Sequence, residues 1–245
     1  MKKKALSFIL IAVMIIGIFA GCSFENKAAE DAMKTDATTH ASPKATTSPE
    51  VPETVSITDS DGNEIVVKTN PTRVAIFDYS ILDILYYAGF ENTGIEKLIV
   101  PAKENLPEEL AFYKDANNDF VISGGTLFYI DWDVLDLIQP ELVIIGSRAF
   151  GMGPTGERLS SEETEKFKED TFSRYPNTTF VKLTTNNSDS QLTLDIENNI
   201  NALAHIFPKV KDVLEAKWAK LKAEILDVSE KAKSTGKKAL FTMMV

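Results

Sequence analysis

The chain contains 245 residues, of which 44% are hydrophobic and 25% charged, and this is enough apolar sequence for one sizeable globular core. Its formal net charge is −10, and such an acidic balance argues against nucleic acid or an anionic membrane surface as a binding partner. Two histidines and one cysteine are too few for a zinc site, so we expect no metal centre and no cofactor.

The N-terminus has the pattern of a secretory signal. Lys2–Lys4 form a basic start, Ala5–Ala20 are almost all apolar, and the small residues of IFAGC stand directly before Cys22. Cys22 is the only cysteine, and its position matches a bacterial lipobox except at Phe19, where an aliphatic residue is usual. We expect residues 1–21 to be removed and Cys22 to be lipidated, which would anchor the protein at the extracytoplasmic face of the cell membrane. The alternatives are an uncleaved anchor and an ordinary signal peptide.

Residues 22–53 are predicted to be a disordered tether. They are rich in Ala, Thr, Ser, Pro and charge, and they hold too few large apolar side chains to offset the entropy of ordering. Loss of the three lysines in residues 1–21 would bring the formal charge to −13, since 23 basic residues would face 36 acidic ones. We interpret this charge as serving solubility.

The globular body begins near Thr54 and alternates strands with helices. Apolar stretches on either side of Asp61-Gly62-Asn63 predict a hairpin. Buried strands are predicted at 72–78, 95–101, 141–146 and 178–183, and helices at 81–90, 104–114, before Pro140 and at 190–207. Strands separated by helices indicate an α/β fold with a mainly parallel sheet covered on both faces.

A single apolar stripe predicts one long helix from Pro208 to about Lys233. The stripe residues are three or four positions apart: Val210, Leu214, Trp218, Leu221, Ile225, Val228 and Ala232. A helix of about 26 residues is about 39 Å long, which spans a small domain. A coiled coil would give the same stripe, but a lone helix between two strand-rich segments favours a rigid strut. Gly236 ends the helix, and residues 239–245 (ALFTMMV) read as a strand that is apolar on both faces.

Three segments carry a family resemblance. They are NPTRVAIFDYSILDILYYAGF (70–90), GGTLFYIDWDVLDLIQPELVIIGSR (124–148) and the long helix before KKALFTMMV (237–245). They resemble the ferric-siderophore substrate-binding lipoproteins of bacterial ABC importers, in which NPxRVxxFD, LDxLxxLG and DxExLxxLxPDLIIxxxR occur in this order. The resemblance covers residues 54–245. It implies a class III periplasmic-binding-protein fold, with two α/β lobes joined by one long helix and the ligand in the cleft between them.

The resemblance divides the body into three parts. Residues 54–207 would be the N-terminal lobe, 208–235 the connecting helix, and 236–245 the first strand of a second lobe whose other strands the chain lacks. We therefore expect a truncated, monomeric member of the family. The alternative is a one-lobe protein that folds its tail back onto its own sheet.

The candidate ligand-binding residues follow the predicted strands, because ligands bind outside the carboxyl ends of parallel strands. They are Asp78, Tyr79, Ser80, Gly124, Gly125, Thr126, Gly146, Ser147, Arg148 and Phe150. The resemblance implies that Arg148 contacts an anionic, catecholate-type ferric siderophore, for which a fixed fork of charged donors is suited. The alternative is an Arg paired with a surface carboxylate. Tyr79 and Phe150 are expected either against aromatic ligand rings or in the core or rim of the lobe.

The resemblance also implies docking to an ABC transporter permease through a carboxylate on each lobe. Asp133, with Asp131 nearby, occupies the corresponding position before QPEL. The alternative for Asp131 is a helix N-cap.

Two further functions are weighed against a siderophore carrier. One is an α/β enzyme, but the chain has no G-x-S-x-G elbow, P-loop or nucleophile–base pair, so we expect no enzymatic activity. The other is a carrier of haem or cobalamin on the same scaffold. The segment GMGPTG (151–156) matches G-x-G-x-x-G, but four residues separate it from the strand and Pro154 interrupts it. We interpret it as a loop at the cleft mouth, and we expect the polar sequence after it not to lie on the sheet.

Overall fold

The structure, a computed structural model, describes residues 51–185 and 192–237. The predictions for residues 1–50, including Cys22 and most of the tether, lie outside these described residues, as does the strand predicted at 239–245.

A β-hairpin opens the described part of the chain. β1 (Thr54–Thr58) pairs antiparallel with β2 (Glu64–Lys68). In the turn, the Asp59 carboxylate accepts hydrogen bonds from the backbone N–H groups of Asp61 and Asn63, at 2.9 and 2.8 Å. The predicted hairpin is therefore confirmed.

Five parallel strands form the central sheet. They are β3 (Arg73–Phe77), β4 (Lys97–Val100), β5 (Val121–Ser123), β6 (Leu142–Ile145) and β7 (Thr179–Lys182). Their order is β5-β4-β3-β6-β7, with every neighbouring pair parallel. Four of these strands agree with the predictions to within two residues at each end. β5 was not predicted.

The helices are α1 (Tyr79–Gly89), α2 (Ala111–Lys114), α3 (Trp132–Ile138), α4 (Ser161–Arg174), α5 (Leu192–Ile206) and α6 (Lys211–Ser234). Asp78 caps the start of α1, and Gln139, with a positive φ of 50°, ends α3 just before Pro140 as predicted. His205 is exposed on α5, and its Nδ1 lies 2.6 Å from the carbonyl oxygen of Asn201.

The sheet is covered on both faces, as predicted. Alternate strand residues such as Val74, Ile76 and Ile144 face one core cluster, which includes buried residues of α1, α5 and α6. The residues between them, such as Phe77 and Val143, face a second cluster with α3. Fully buried parallel strands explain why these runs are apolar without alternation.

The prediction of a helix at 104–114 is wrong for most of these residues. The structure has two 3-10 turns, Lys103–Asn105 and Glu108–Leu110, followed by the one-turn helix α2. Pro107 has no N–H to donate and disfavours helical backbone at the residue before it, so Leu106 is extended with ψ of 141°.

The polar segment after GMGPTG was also wrongly predicted. It forms α4, and Phe167 on this helix packs against the second core cluster. A capping box starts the helix, since the Ser160 hydroxyl accepts from the Glu163 N–H and the Glu163 carboxylate accepts from the Ser160 N–H.

The long helix is present, with a 3-10 turn at Pro208–Val210 before α6. Its 24 residues correspond to about 36 Å. Leu214 and Trp218 are buried against the lobe, whereas Ile225 and Val228, farther along the predicted stripe, are exposed. The first half of α6 thus belongs to the core.

Candidate functional site

The carboxyl edge of the sheet collects the loops that follow β3, β5 and β6. All ten candidate ligand-binding residues lie in these loops or in the first turn of α1. In open parallel sheets this edge is where ligands bind. The side chains at this edge nevertheless differ in what they contact.

Asp78 is engaged by its own helix. Its Oδ1 accepts hydrogen bonds from the N–H and hydroxyl groups of Ser80 and from the N–H of Ile81. Its Oδ2 lies so close to Gly146 that a Cβ there would be 2.5 Å away. The glycine at position 146 therefore leaves the space that the Asp78 carboxylate occupies at the ends of β3 and β6. Tyr79 is half-buried against the core cluster that includes α1, α5 and α6, one of the positions left open by the sequence.

The loop after β5 is tightly constrained. The Thr126 N–H donates to the carbonyl oxygen of Tyr129 at 2.6 Å, and the Thr126 hydroxyl accepts from the N–H groups of Phe128 and Tyr129. Gly125 has φ of +107°, and a Cβ there would lie 2.2 Å from the Tyr129 carbonyl oxygen. This backbone holds Phe128 at the loop tip with 46% of its surface exposed.

Arg148, in the loop after β6, meets Phe128. The guanidinium carbon lies 5.5 Å from the centroid of the Phe128 ring, within the range of a cation–π contact. No carboxylate of the described residues lies within ion-pair distance of Arg148. The alternative, an Arg148 paired with a surface carboxylate, is therefore not observed among the described residues.

The contact between Arg148 and Phe128 connects loops that follow two non-adjacent strands, β6 and β5. β5 and β6 are separated by β4 and β3 in the sheet, so their ends are roughly 14 Å apart at the usual strand spacing. Phe128 and Arg148 reach towards each other over the ends of the two intervening strands. Sequence reasoning missed Phe128 because β5 was not recognised; an aromatic residue shortly after a Gly-Gly pair was the available signal.

Phe150 is a core residue in this structure. Its backbone has φ of 63°, and its side chain is 1% exposed. The ring packs with Trp132 and Phe167 at centroid distances of 5.9 and 5.8 Å. The interpretation of Phe150 as a ligand-stacking residue is therefore corrected to its alternative, a place in the lobe core.

Ser147 is exposed beside a cavity of about 260 Å³ between the hairpin turn and α4. Asp61 and Lys182 at this cavity form an ion pair of 2.6 Å. The cavity wall thus carries charges of both signs next to the loop that holds Arg148.

The two carboxylates proposed for docking differ in environment. Asp131 caps α3, since its Oδ1 accepts from the N–H groups of Asp133 and Val134 at 3.1 and 3.3 Å. Asp133 is exposed in the first turn of α3. The alternative for Asp131, a helix N-cap, is what the structure has.

The segment 151–156 forms a closed loop. The Gly153 N–H donates to the carbonyl oxygen of Glu157 at 2.8 Å, and Met152 pairs with Arg158. α4 begins only at Ser161, so no helix starts at the last glycine as a dinucleotide site requires.

In residues 51–185 and 192–237, no group of three or more His, Cys, Asp or Glu side chains is arranged to hold a metal ion. None of the helices described there has both the length and the apolarity needed to cross a membrane.

Sequence comparison relates the chain to a binding protein. No protein-family model matches. The chain is 26% identical over 184 residues to the petrobactin-binding protein YclQ of Bacillus subtilis, a match that covers 75% of this chain and 49% of YclQ. The chain thus spans about half the length of the curated relative it matches.

Structural comparison shows the fold. The crystal structure of YclQ has a TM-score of 0.57 at 23% identity, with 76% of this chain and 56% of YclQ covered. The catecholate-siderophore binding protein VctP of Vibrio cholerae has 0.56 at 21%, covering 75% and 56%. The iron uptake ABC transporter substrate-binding protein PiuA of Streptococcus pneumoniae has 0.52 at 20%, covering 76% and 55%. The described residues have the class III periplasmic-binding-protein fold predicted from the resemblance, and they correspond to about half of each of these structures.

Proposed function

We propose that this chain is the ligand-binding part of a solute-binding protein that captures a ferric siderophore of the catecholate type and delivers it to an ABC permease. The observation that carries the proposal is Arg148, an exposed guanidinium at the carboxyl edge of the sheet with no carboxylate partner among the described residues. The similarity to YclQ and VctP, whose names state petrobactin and catecholate siderophores, supports the ligand class.

The chemistry of Arg148 fits such a ligand. A tris-catecholate iron(III) complex is trianionic and presents catecholate oxygens around an aromatic periphery. A guanidinium stays charged at all relevant pH values and donates several hydrogen bonds in one plane. Charge-assisted bonds of this kind are roughly twice as strong as neutral ones. An acidic protein needs such a local cation to hold an anion.

We propose binding rather than catalysis at this edge. The one histidine in residues 51–185 and 192–237 is His205, whose Nδ1 faces the carbonyl oxygen of Asn201. No nucleophile–histidine pair is therefore formed in that part of the chain, and the relatives are named for binding and uptake.

Replacing Arg148 by Ala tests the ligand proposal. We expect R148A to weaken binding of a hexadentate ferric tris-catecholate complex at least tenfold, because a charged hydrogen-bonding partner contributes about 1.5–3 kcal/mol. Isothermal titration calorimetry would measure the dissociation constants.

The matched control is Arg174→Ala. Arg174 ends α4 at the opposite edge of the sheet and pairs with Asp136, so its loss removes the same charge far from the site. We expect R174A to stay within twofold of the unsubstituted chain. Equal losses of affinity in both variants would mean that Arg148 acts only through the general charge of the protein. Tighter binding of haem than of the ferric complex would favour the haem alternative.

We also propose that the chain is tethered at Cys22 to the extracytoplasmic membrane face. The support is the lipobox pattern, since Cys22 lies outside the described residues. Cell fractionation is the test: the unsubstituted chain should sediment with membranes and Cys22→Ser should be released, while membrane retention of both would contradict lipidation.

For delivery, we propose Asp133 as the permease-docking carboxylate, because Asp131 is engaged as a cap. Asp131→Ala should lower the free energy of unfolding by about 1 kcal/mol, the usual value of an N-cap. Asp133→Ala should cost less stability than D131A, because Asp133 adds only a charge to the first turn of α3, but it should reduce uptake of radioactive iron–siderophore by cells that carry the permease. Undiminished uptake with D133A would contradict this assignment.

A further inference from the structure

Phe128, which contacts Arg148, is not among the ligand-binding residues predicted from the sequence. Phe128 is exposed on a loop whose backbone is fixed by the Thr126 hydrogen bonds and by the bridge between Gly125 and Ile130. Phe128 leaves nearly half of its surface exposed, so it contributes less to the core than a fully buried phenylalanine would. Phe128 lies in the loop after β5, at the carboxyl edge where ligands bind in open parallel sheets, so its exposed surface is available to a ligand bound there.

The geometry leaves both partners available. The Arg148 guanidinium carbon lies 5.5 Å from the Phe128 centroid, and its N–H groups form no ion pair with a carboxylate of the described residues, so they are available to an anion. Phe128 is 46% exposed, so part of its surface opens to the same solvent as Arg148. A ligand that combines anionic oxygens with aromatic rings would satisfy both groups at once. An aliphatic anion would use the guanidinium alone.

We propose that Phe128 is a specificity-determining residue, which positions Arg148 through the cation–π contact and stacks on an aromatic arm of the ligand. This inference rests on the proposed function, because it concerns which siderophores the Arg148 site accepts. It predicts selection for aromatic over aliphatic chelating arms by a residue three strands away from Arg148 in the sheet.

Two ferric probes separate the two roles. Dissociation constants would be measured by calorimetry for the hexadentate ferric tris-catecholate complex and for ferric citrate, with the unsubstituted chain, F128L and F128Y. We expect F128L to weaken tris-catecholate binding about five- to tenfold, because a ring stack and a cation–π contact are both lost. Ferric citrate binding should weaken less, by about twofold, because it loses only the positioning of Arg148, and F128Y should restore the preference.

The matched control is Tyr87→Leu. Tyr87 is another exposed ring in a cation–π contact, with Lys217 Nζ 5.9 Å from its centroid, but it lies in the last turn of α1, away from the carboxyl edge. We expect Y87L to leave both dissociation constants unchanged. Thermal unfolding of every variant would confirm that each is folded.

The outcomes are distinct. Equal weakening of both probes by F128L would mean a structural role for the loop and overturn the inference, as would no change for either probe. If R148A lost tris-catecholate binding while F128L kept it, the inference would fail and the proposed function would stand. If the unsubstituted chain bound neither probe, the proposed function would fail together with the inference.

Discussion

Replacing Glu141 by Gln is expected to lower the free energy of unfolding by about 2 kcal/mol at pH 7 and by much less near pH 2.5. Glu141 stands at the amino end of β6 and ties three segments together. Its Oε1 lies 2.6 Å from Lys68 Nζ on β2. Its Oε2 accepts from the N–H groups of Thr72 and Arg73, at 2.7 and 3.3 Å, where β3 begins.

The pH dependence follows from the pKa of Glu141. Partial burial alone would raise this pKa, but the hydrogen bonds from Lys68, Thr72 and Arg73 lower it from 4.5 to about 2. The ionised form is thus favoured in the folded state. Its stabilisation is fully present above pH 4.5 and is lost as the pH falls towards 2. A change of this size corresponds to about 3 kcal/mol, and solvent screening at the half-exposed Lys68 reduces it to about 2.

Urea unfolding of the unsubstituted chain and E141Q between pH 2.5 and 7 would measure this difference. Glu96→Gln is the control, since Glu96 is exposed just before β4. E96Q should follow the unsubstituted chain at every pH. A difference for E141Q that stayed constant with pH would show that shape rather than charge is responsible.

Most strands of the core could be predicted because strands buried on both faces are continuous apolar runs in the sequence. β3 and β6 are continuous apolar runs that follow Pro71 and Pro140, and both ends fall within two residues of the prediction. β5 has only Val121–Ser123, and so short a run carries no periodicity. α4 was missed because its apolar face is narrow, although the capping box at Ser160 was a readable local signal.

Residues of single loops in the site could be predicted from the sequence, but contacts between loops could not. The rule of strand carboxyl ends leads to Arg148 from the sequence, because β6 is recognisable and Arg148 follows it. That Arg148 meets Phe128 depends on the strand order β5-β4-β3-β6, which local patterns do not specify. Phe150 could not be placed because a left-handed backbone at φ of 63° is what directs it into the core.

The loop that carries Phe128 provides the second large prediction. Gly125→Ala is expected to lower the free energy of unfolding by about 3 kcal/mol. A side chain at φ of +107° is strained, which costs roughly 1–2 kcal/mol. In addition, the new Cβ would lie 2.2 Å from the Tyr129 carbonyl oxygen and 2.8 Å from the Asp131 N–H nitrogen.

The atoms in this clash belong to backbone and are already hydrogen-bonded, so they have little freedom to move. The Tyr129 carbonyl oxygen accepts from Thr126 at 2.6 Å, and the Asp131 N–H donates to the carbonyl oxygen of Gly124 at 2.9 Å. Relief of the clash must open the turn that presents Phe128. G125A should therefore weaken binding of the ferric tris-catecholate complex even at temperatures where the variant is fully folded.

Gly156→Ala separates the cost of backbone strain from the cost of the steric clash. Gly156 also has a positive φ, +85°, but open space surrounds the position of its Cβ. Its substitution should cost only the backbone strain, about 1 kcal/mol, and leave binding unchanged. Urea unfolding of both variants, with calorimetry on the folded proteins, would measure the two effects. Equal destabilisation of G125A and G156A would mean that the turn yields easily, and Phe128 would then lack the fixed position from which its role in ligand selection is inferred.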